Sequence, residues 1–319
     1  MRREFYNEER NQQIRLFKEG FFGDAKNGGH WTFFDKKGNK ISIVTDMDFI
    51  LRPEDSSANI YSEIRQSSQD YFIHHNISWW RQEEDGYCPP GHLVSSQIHC
   101  LNHLFVFRKD AKAVKMIIEE ATGMQFDKVL PSLIDGDEQS YISFEFALDN
   151  DKLLGENDEG SKRGSLCTSI DVMIVAQEGE NKWLIPIEWK YTETYLGTDK
   201  TNKKRIDRYA NLIKTSERLR VPDDGIAHSI YFIEPSYELM RQTLLCEQLV
   251  RKGYANDFFH INVIPMKHTE LRGAVESDFM QMLNDKAKFK IIDPKDFLAP
   301  IEEKNLYPEL IDYLKKRYW

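Results

Sequence analysis

The chain has 319 residues, 40% of them hydrophobic and 30% charged, enough to bury one large core or two modest ones. Its 43 Lys and Arg stand against 52 Asp and Glu, a formal net charge of -9, so a polyanionic partner must be met by a local basic patch and not by the whole surface. No apolar run approaches the roughly 20 residues that span a bilayer; the charged start MRREFYNEERNQQIRLF does not read as a signal peptide, and Cys88, Cys100, Cys167 and Cys246 lie far apart, so a cytoplasmic protein with reduced thiols and no membrane partner is expected.

Residues 1–20 mix charges with Ile14, Leu16 and Phe17, which predicts a short amphipathic helix. WTFFDKKGNKISIV places two β-prone runs around a turn composition, a hairpin. A polar helix follows near SSANIYSEIRQSSQDYFIHHN, with Ile60, Ile64, Tyr71 and Phe72 toward a core. Pro89, Pro90 and Gly91 then break any helix, and mark the expected boundary between an N-terminal accessory region (1–88) and a core (89–270), with a helical extension (271–319) beyond. Ser95 or Ser96 can cap a helix carrying Ile98, Leu101, Leu104 and Phe105, and AKAVKMIIEEAT is a second helix ending at Gly123.

From there the period changes. YISFEFAL, CTSIDVMIVA and KWLIPIEWKY are three β-branched and aromatic runs; the long polar loop DNDKLLGENDEGSKRGS joins the first two, and QEGEN is short enough to close a hairpin between the others. Helix returns through DKTNKKRIDRYANLIKTSERL, then a strand at HSIYFIE, a helix at YELMRQTLLCEQLVRKG and a strand at FFHINVIPM. This order predicts an α/β fold, a mixed sheet with helices on its faces.

Chemistry concentrates at the ends of two strands. Alternation places Glu188 and Lys190 on one face of a run whose other face is Ile185, Ile187 and Trp189. In the neighbouring run Asp171 stands between Ile170 and Val172, where an uncompensated acid costs several kcal/mol. A divalent cation would compensate it: two carboxylates from the paired strands suit Mg²⁺ or Mn²⁺, with Lys190 placed to orient or activate the attacking water. The plainer alternative is a surface ion pair on an exposed sheet face. Lys200, Lys204 and Arg208 fall at i, i+4 and i+8 and could track a phosphate backbone as one helical stripe, or be a solvated face.

An acid on one strand followed, one hairpin later, by Glu-X-Lys resembles the PD-(D/E)XK nuclease superfamily, with its restriction-endonuclease-like fold. NISWWRQ, GHLVSSQIHCLNHLF, SFEFAL and IPIEWKYTETY together resemble a prokaryotic group within it that has a Ser-Ser-Gln helix before the strands. The resemblance spans roughly residues 75 to 265. The usual Pro-Asp is here Ile170-Asp171. The resemblance implies Asp171, Glu188 and the backbone carbonyl of Trp189 as metal ligands, Lys190 as catalytic, and Glu145, more than Gln97, as the added polar residue. It also implies Mg²⁺-dependent hydrolysis of phosphodiester bonds, with DNA the expected nucleic-acid partner, and a homodimer as one arrangement. A non-catalytic nucleic-acid or protein-binding module on the same fold is the alternative. Zinc at Cys88, His92, His99, Cys100 and His103 is disfavoured by the spacing, and the Trp79-Trp80 pair reads as packing rather than as a base-stacking platform.

Overall fold

The computed structural model describes residues 3–25, 28–34, 39–80, 88–136, 139–156, 163 and 167–319. The chain divides into two compact units, Met1–Val106 with Tyr307–Trp319, and Phe107–Leu306. The expected segments 1–88, 89–270 and 271–319 cut it elsewhere. The capped helix after the prolines belongs to the first unit, and most of the presumed extension belongs to the second.

In the first unit the amphipathic helix forms as α1 (Glu4–Lys18). The hairpin forms as β1 (Gly28–Phe34) and β2 (Lys40–Leu51), antiparallel with Thr32 opposite Ile43; its turn at 35–38 lies outside the described residues. Helix α2 (Arg65–His74) buries Tyr71 and Phe72, and Phe72 stacks on Trp79 with ring centroids 3.9 Å apart. Trp80 stays 43% exposed, so the tryptophan pair is split between packing and surface. Gly91 has no room for a side chain, because a Cβ there would run into the backbone of Leu51. Helix α3 (Ser96–Leu104) starts at Ser95, whose hydroxyl accepts from Ile98 N at 3.4 Å. A closing helix, Pro308–Arg317, returns to this unit and buries Arg317 completely. That guanidinium donates to Asn59 O and Tyr313 Oη, both at 2.6 Å, and lies over the Phe22 ring. A buried cation this well satisfied ties the chain terminus down.

The second unit carries the mixed sheet. Helix α4 (Ala111–Thr122) is capped by Asp110, whose Oδ1 accepts from Lys112 N and Ala113 N, and ends at Gly123 with φ 71, the left-handed stop a glycine makes without penalty. The strands are β3 (Lys128–Leu130), β4 (Ser143–Phe146), β5 (Ile170–Glu178) and β6 (Asn181–Trp189), with a short helix α5 (Asn150–Leu153) before β5. Part of the long loop, 157–162 and 164–166, lies outside the described residues. After β6 come α6 (Lys203–Lys214), α7 (Ser236–Arg251), β7 (Asp257–Phe258), β8 (His260–Val263), α8 (Thr269–Ser277) and β9 (Phe289–Ile292). β5 and β6 are the expected hairpin, paired from Glu178–Asn181 to Val172–Ile187. β3 and β4 both pair antiparallel to β5, while β7 and β8 run parallel to β6, and β9 parallel to β8. This is a mixed sheet flanked by helices, the layering of a restriction-endonuclease-like fold.

Helix α7 covers one face, where Leu239, Met240, Leu244, Leu245 and Leu249 pack with Met173, Val175 and Leu184. On the opposite face Trp189 meets Phe297 at 6.0 Å. One expected strand is absent: HSIYFIE folds as two 3₁₀ turns, Ile226–His228 and Ile230–Phe232. The free edge of β6 is taken by β7 and β8, so this run stays off the sheet; Ile233 keeps an isolated antiparallel bridge to Asp199, and Tyr231 and Phe232 are buried as a cap on the α7 core. Among the described residues no helix is long and apolar enough to cross a membrane, and the four cysteines are free thiols.

Candidate active site

The sheet's alternation brings a row of acids to one level. Beyond the Val172–Ile187 pair the next positions of the hairpin are Asp171 and Glu188. On the other edge of β5 the pairs Phe144–Val172 and Phe146–Ile170 leave Glu145 level with Asp171. Three neighbouring strands therefore each carry an acid at the level of the mouth of the hairpin. Glu145 holds this place with a left-handed backbone, φ 49, which costs a non-glycine residue roughly 1 kcal/mol. Arg163 braces that backbone, its guanidinium donating to Glu145 O at 3.2 Å and Phe144 O at 2.6 Å.

Asp171 Oδ2 accepts the amide of Trp189 at 2.7 Å, which pins the acid across the hairpin. Glu188 is 1% exposed; its Oε2 accepts from Gln242 Nε2, and its Oε1 pairs with Lys190 Nζ without hydrogen-bond alignment. Lys190 Nζ also donates to Glu238 Oε2 at 2.5 Å. Tyr195 Oη donates to the same oxygen at 3.3 Å, and its ring lies 5.6 Å from the ammonium. The strand stops at Trp189. Tyr191 N turns back to Glu193 Oε2 at 2.7 Å, so the chain bends away immediately after Lys190.

Burial and like charge act together here. Burial, then Glu145, raise Asp171 well above the ordinary carboxylate range, against Lys190 and the Trp189 amide. Burial, then Asp171 and Glu238, raise Glu188 likewise. Burial would push the Lys190 ammonium down, but Glu188 and Glu238 outweigh it and raise its pKa well above the usual lysine value. For Glu238 burial is outweighed by Lys190, and the pKa falls; its side chain keeps 26% of its surface, so solvent weakens that pull. Lys190 therefore stays a cation, suited to holding an anion or a water and not to taking a proton. Asp171 and Glu188, with their charged forms disfavoured, either hold protons or face a further cation.

The donor set fits a divalent cation of the Mg²⁺ or Mn²⁺ kind. Asp171 and Glu188 are hard oxygen donors, and Glu188 Oε1 is a buried acceptor without a hydrogen bond among the described residues. Among the described residues no group of three or more His, Cys, Asp or Glu stands at ligating spacing, so Glu145 lies level with the pair without completing a three-carboxylate cage.

Sequence reasoning missed Glu238 and Gln242. Both come from α7, which reads as an ordinary amphipathic helix; the one signal was Gln242, a polar residue between Met240 and Leu244 in a run of core positions. The basic stripe is not continuous. Helix α6 begins at Lys203 because Asn202 caps it, accepting from Arg205 N at 2.9 Å. Lys200 precedes the cap and lies 3.8 Å from Glu234, leaving Lys204 and Arg208 as the helical pair. Gln97 belongs to the first unit, where it accepts from Trp80 N. His99 and His103 are core residues: His103 Nδ1 lies 2.7 Å from His99 O, and Nε2 accepts from Trp319 Nε1 at 3.3 Å. Burial pushes His103 down to about 3.

A family model described as "Restriction Endonuclease associating with ARP" matches residues 23–319. No curated protein and no solved structure matches the chain.

Proposed function

The chain belongs to the family of restriction endonucleases associating with ARP, and from that premise we propose that it is a divalent-cation-dependent nuclease of PD-(D/E)XK type acting on DNA. The observation that carries the proposal is Asp171 and Glu188 level with each other on one hairpin, with Lys190 at its end and Glu145 level with them on the adjacent strand. Asp171 and Glu188 would hold Mg²⁺ or Mn²⁺, with the Trp189 carbonyl as a third oxygen. Such a cation, when bound, supplies electrostatic relief for charge gathering on the phosphate.

The chain's own groups do the rest. Lys190, kept charged by two carboxylates, orients the attacking water or a phosphate oxygen beside the acids. Glu145, on the edge strand, adds a polar group level with Asp171. Phosphoryl transfer needs little covalent help, so positioning and charge suffice. Lys204 and Arg208 on α6 would take the nucleic-acid backbone. The family's description carries an association with ARP, which this reading extends to the chain as a partner. A pair of copies is part of the same reading, since a duplex offers two strands related by a two-fold axis.

The test is incubation of the purified protein with Mg²⁺ or Mn²⁺ and supercoiled plasmid, linear DNA and RNA, beside Lys190→Ala. Metal-dependent cleavage of DNA, reduced in the variant by about 10²-fold or more, is the result expected. Equal rates for wild type and variant would remove the catalytic assignment of Lys190, and no metal-dependent cleavage by wild type would leave a binding module on this fold.

A further inference from the structure

Two side chains on one face of α7 reach the two members of the Glu188-X-Lys190 unit. Glu238 and Gln242 are four residues apart, one helical turn. Residues four apart rise about 6 Å along a helix, and residues two apart span about 6.7 Å along a strand. The two periods match, so one turn of helix can serve two side chains of a strand facing it. The contacts follow that match: Glu238 Oε2 with Lys190 Nζ at 2.5 Å, and Gln242 Nε2 with Glu188 Oε2.

Gln242 does more than touch Glu188. Its Nε2 also donates to Ser169 O at 3.1 Å, two residues before Asp171. A backbone carbonyl only accepts, so the amide nitrogen must point there. One NH₂ group thereby spans the mouth of the hairpin, joining the Glu188 carboxylate to the chain that delivers Asp171. Gln242 is fully buried, and its Oε1 has no hydrogen-bond partner among the described residues. A leucine of similar volume would avoid leaving that oxygen unpaired, so packing alone does not account for an amide here.

We infer that Glu238 and Gln242 are a positioning pair for this site. Gln242 fixes the separation of Glu188 and Asp171 that the cation meets, and Glu238 fixes Lys190 beside them. The inference rests on the nuclease reading above and assigns α7 to the catalytic apparatus, with neither residue touching the reacting atoms.

The experiment compares wild type, Gln242→Leu, Gln242→Glu and Glu238→Gln by thermal unfolding, by calorimetric titration with Mn²⁺ alone, and by steady-state cleavage of plasmid. Loss of an orienting partner weakens metal affinity or activity by about 10- to 100-fold. Gln242→Leu and Gln242→Glu are expected to lose that much Mn²⁺ affinity while still folding. Glu238→Gln is expected to keep Mn²⁺ affinity within about threefold and lose about tenfold or more in kcat with KM little changed.

Wild-type affinity in both Gln242 variants, or a Glu238→Gln enzyme that cuts as fast as wild type or faster, overturns the inference and leaves the nuclease reading standing. Failure of both Gln242 variants to fold overturns it too, because the amide's contribution is then to the fold. Wild type that takes up no Mn²⁺ and cuts nothing sinks the nuclease reading itself, a different and recognisable result.

Discussion

At Asp171 the Trp189 amide and Lys190 favour the charged form, but burial and Glu145 outweigh them. In the metal-free protein the folded state therefore binds the carboxyl proton more tightly than the unfolded chain does. The sign follows from linkage: stability from that proton is complete below the ordinary value of 3.8 and is lost as pH rises through the folded value, by at most about 1.4 kcal/mol per pH unit. Asp171→Asn removes the titration while keeping an oxygen for the Trp189 amide. Without metal the variant is therefore predicted to unfold at a higher temperature than wild type, with a gap that widens as pH rises above the ordinary value of 3.8. Melting curves from that pH upward check it; a constant or narrowing gap would contradict the account of the site. Adding Mg²⁺ at the upper pH should stabilise wild type and leave Asp171→Asn much less changed, because binding to the folded state alone raises its stability.

At the scale of elements, α6 is where the basic side chains that would meet a phosphate backbone stand. Lys204 and Arg208 lie on the helix, while Lys200 precedes its cap and lies near Glu234. Charge reversal of both Lys204 and Arg208 should weaken DNA binding at every sequence. It should also flatten the slope of log affinity against log salt by about 0.9 for each phosphate no longer neutralised. Lys200→Glu should do less. Equal salt slopes in all three proteins would place the DNA elsewhere. The same scale shows what the sequence could carry. Period-2 alternation with an isolated acid gave β4, β5 and β6, cap chemistry at Ser95 gave a helix start, and Gly123 a helix end. HSIYFIE misled because strand propensity says nothing about whether a sheet edge is free to pair, and that depends on where β7 and β8 lie.

For the whole molecule, the residues that define the site are far apart in sequence, and legibility falls with that distance. Asp171, Glu188 and Lys190 could be read because they share one hairpin, whose local register alone determines that the acids face each other. Glu238 and Gln242 could not, because their meeting with β6 depends on how α7 packs on the sheet. Nor could the division of the chain. Pro89 and Pro90 are strong local breaks, yet the compact unit continues to Val106, and residues 307–319 return to it through the buried Arg317 network.

The central claim is that Asp171 and Glu188 share one hard cation. The measurement closest to it is a crystal structure of the protein with saturating Mn²⁺, using anomalous scattering at the manganese edge, beside Asp171→Ala treated the same way. The account predicts one manganese within about 2.5 Å of both carboxylates in wild type, and none there in the variant. Manganese absent from both carboxylates in wild type, or present unchanged in the variant, would contradict it.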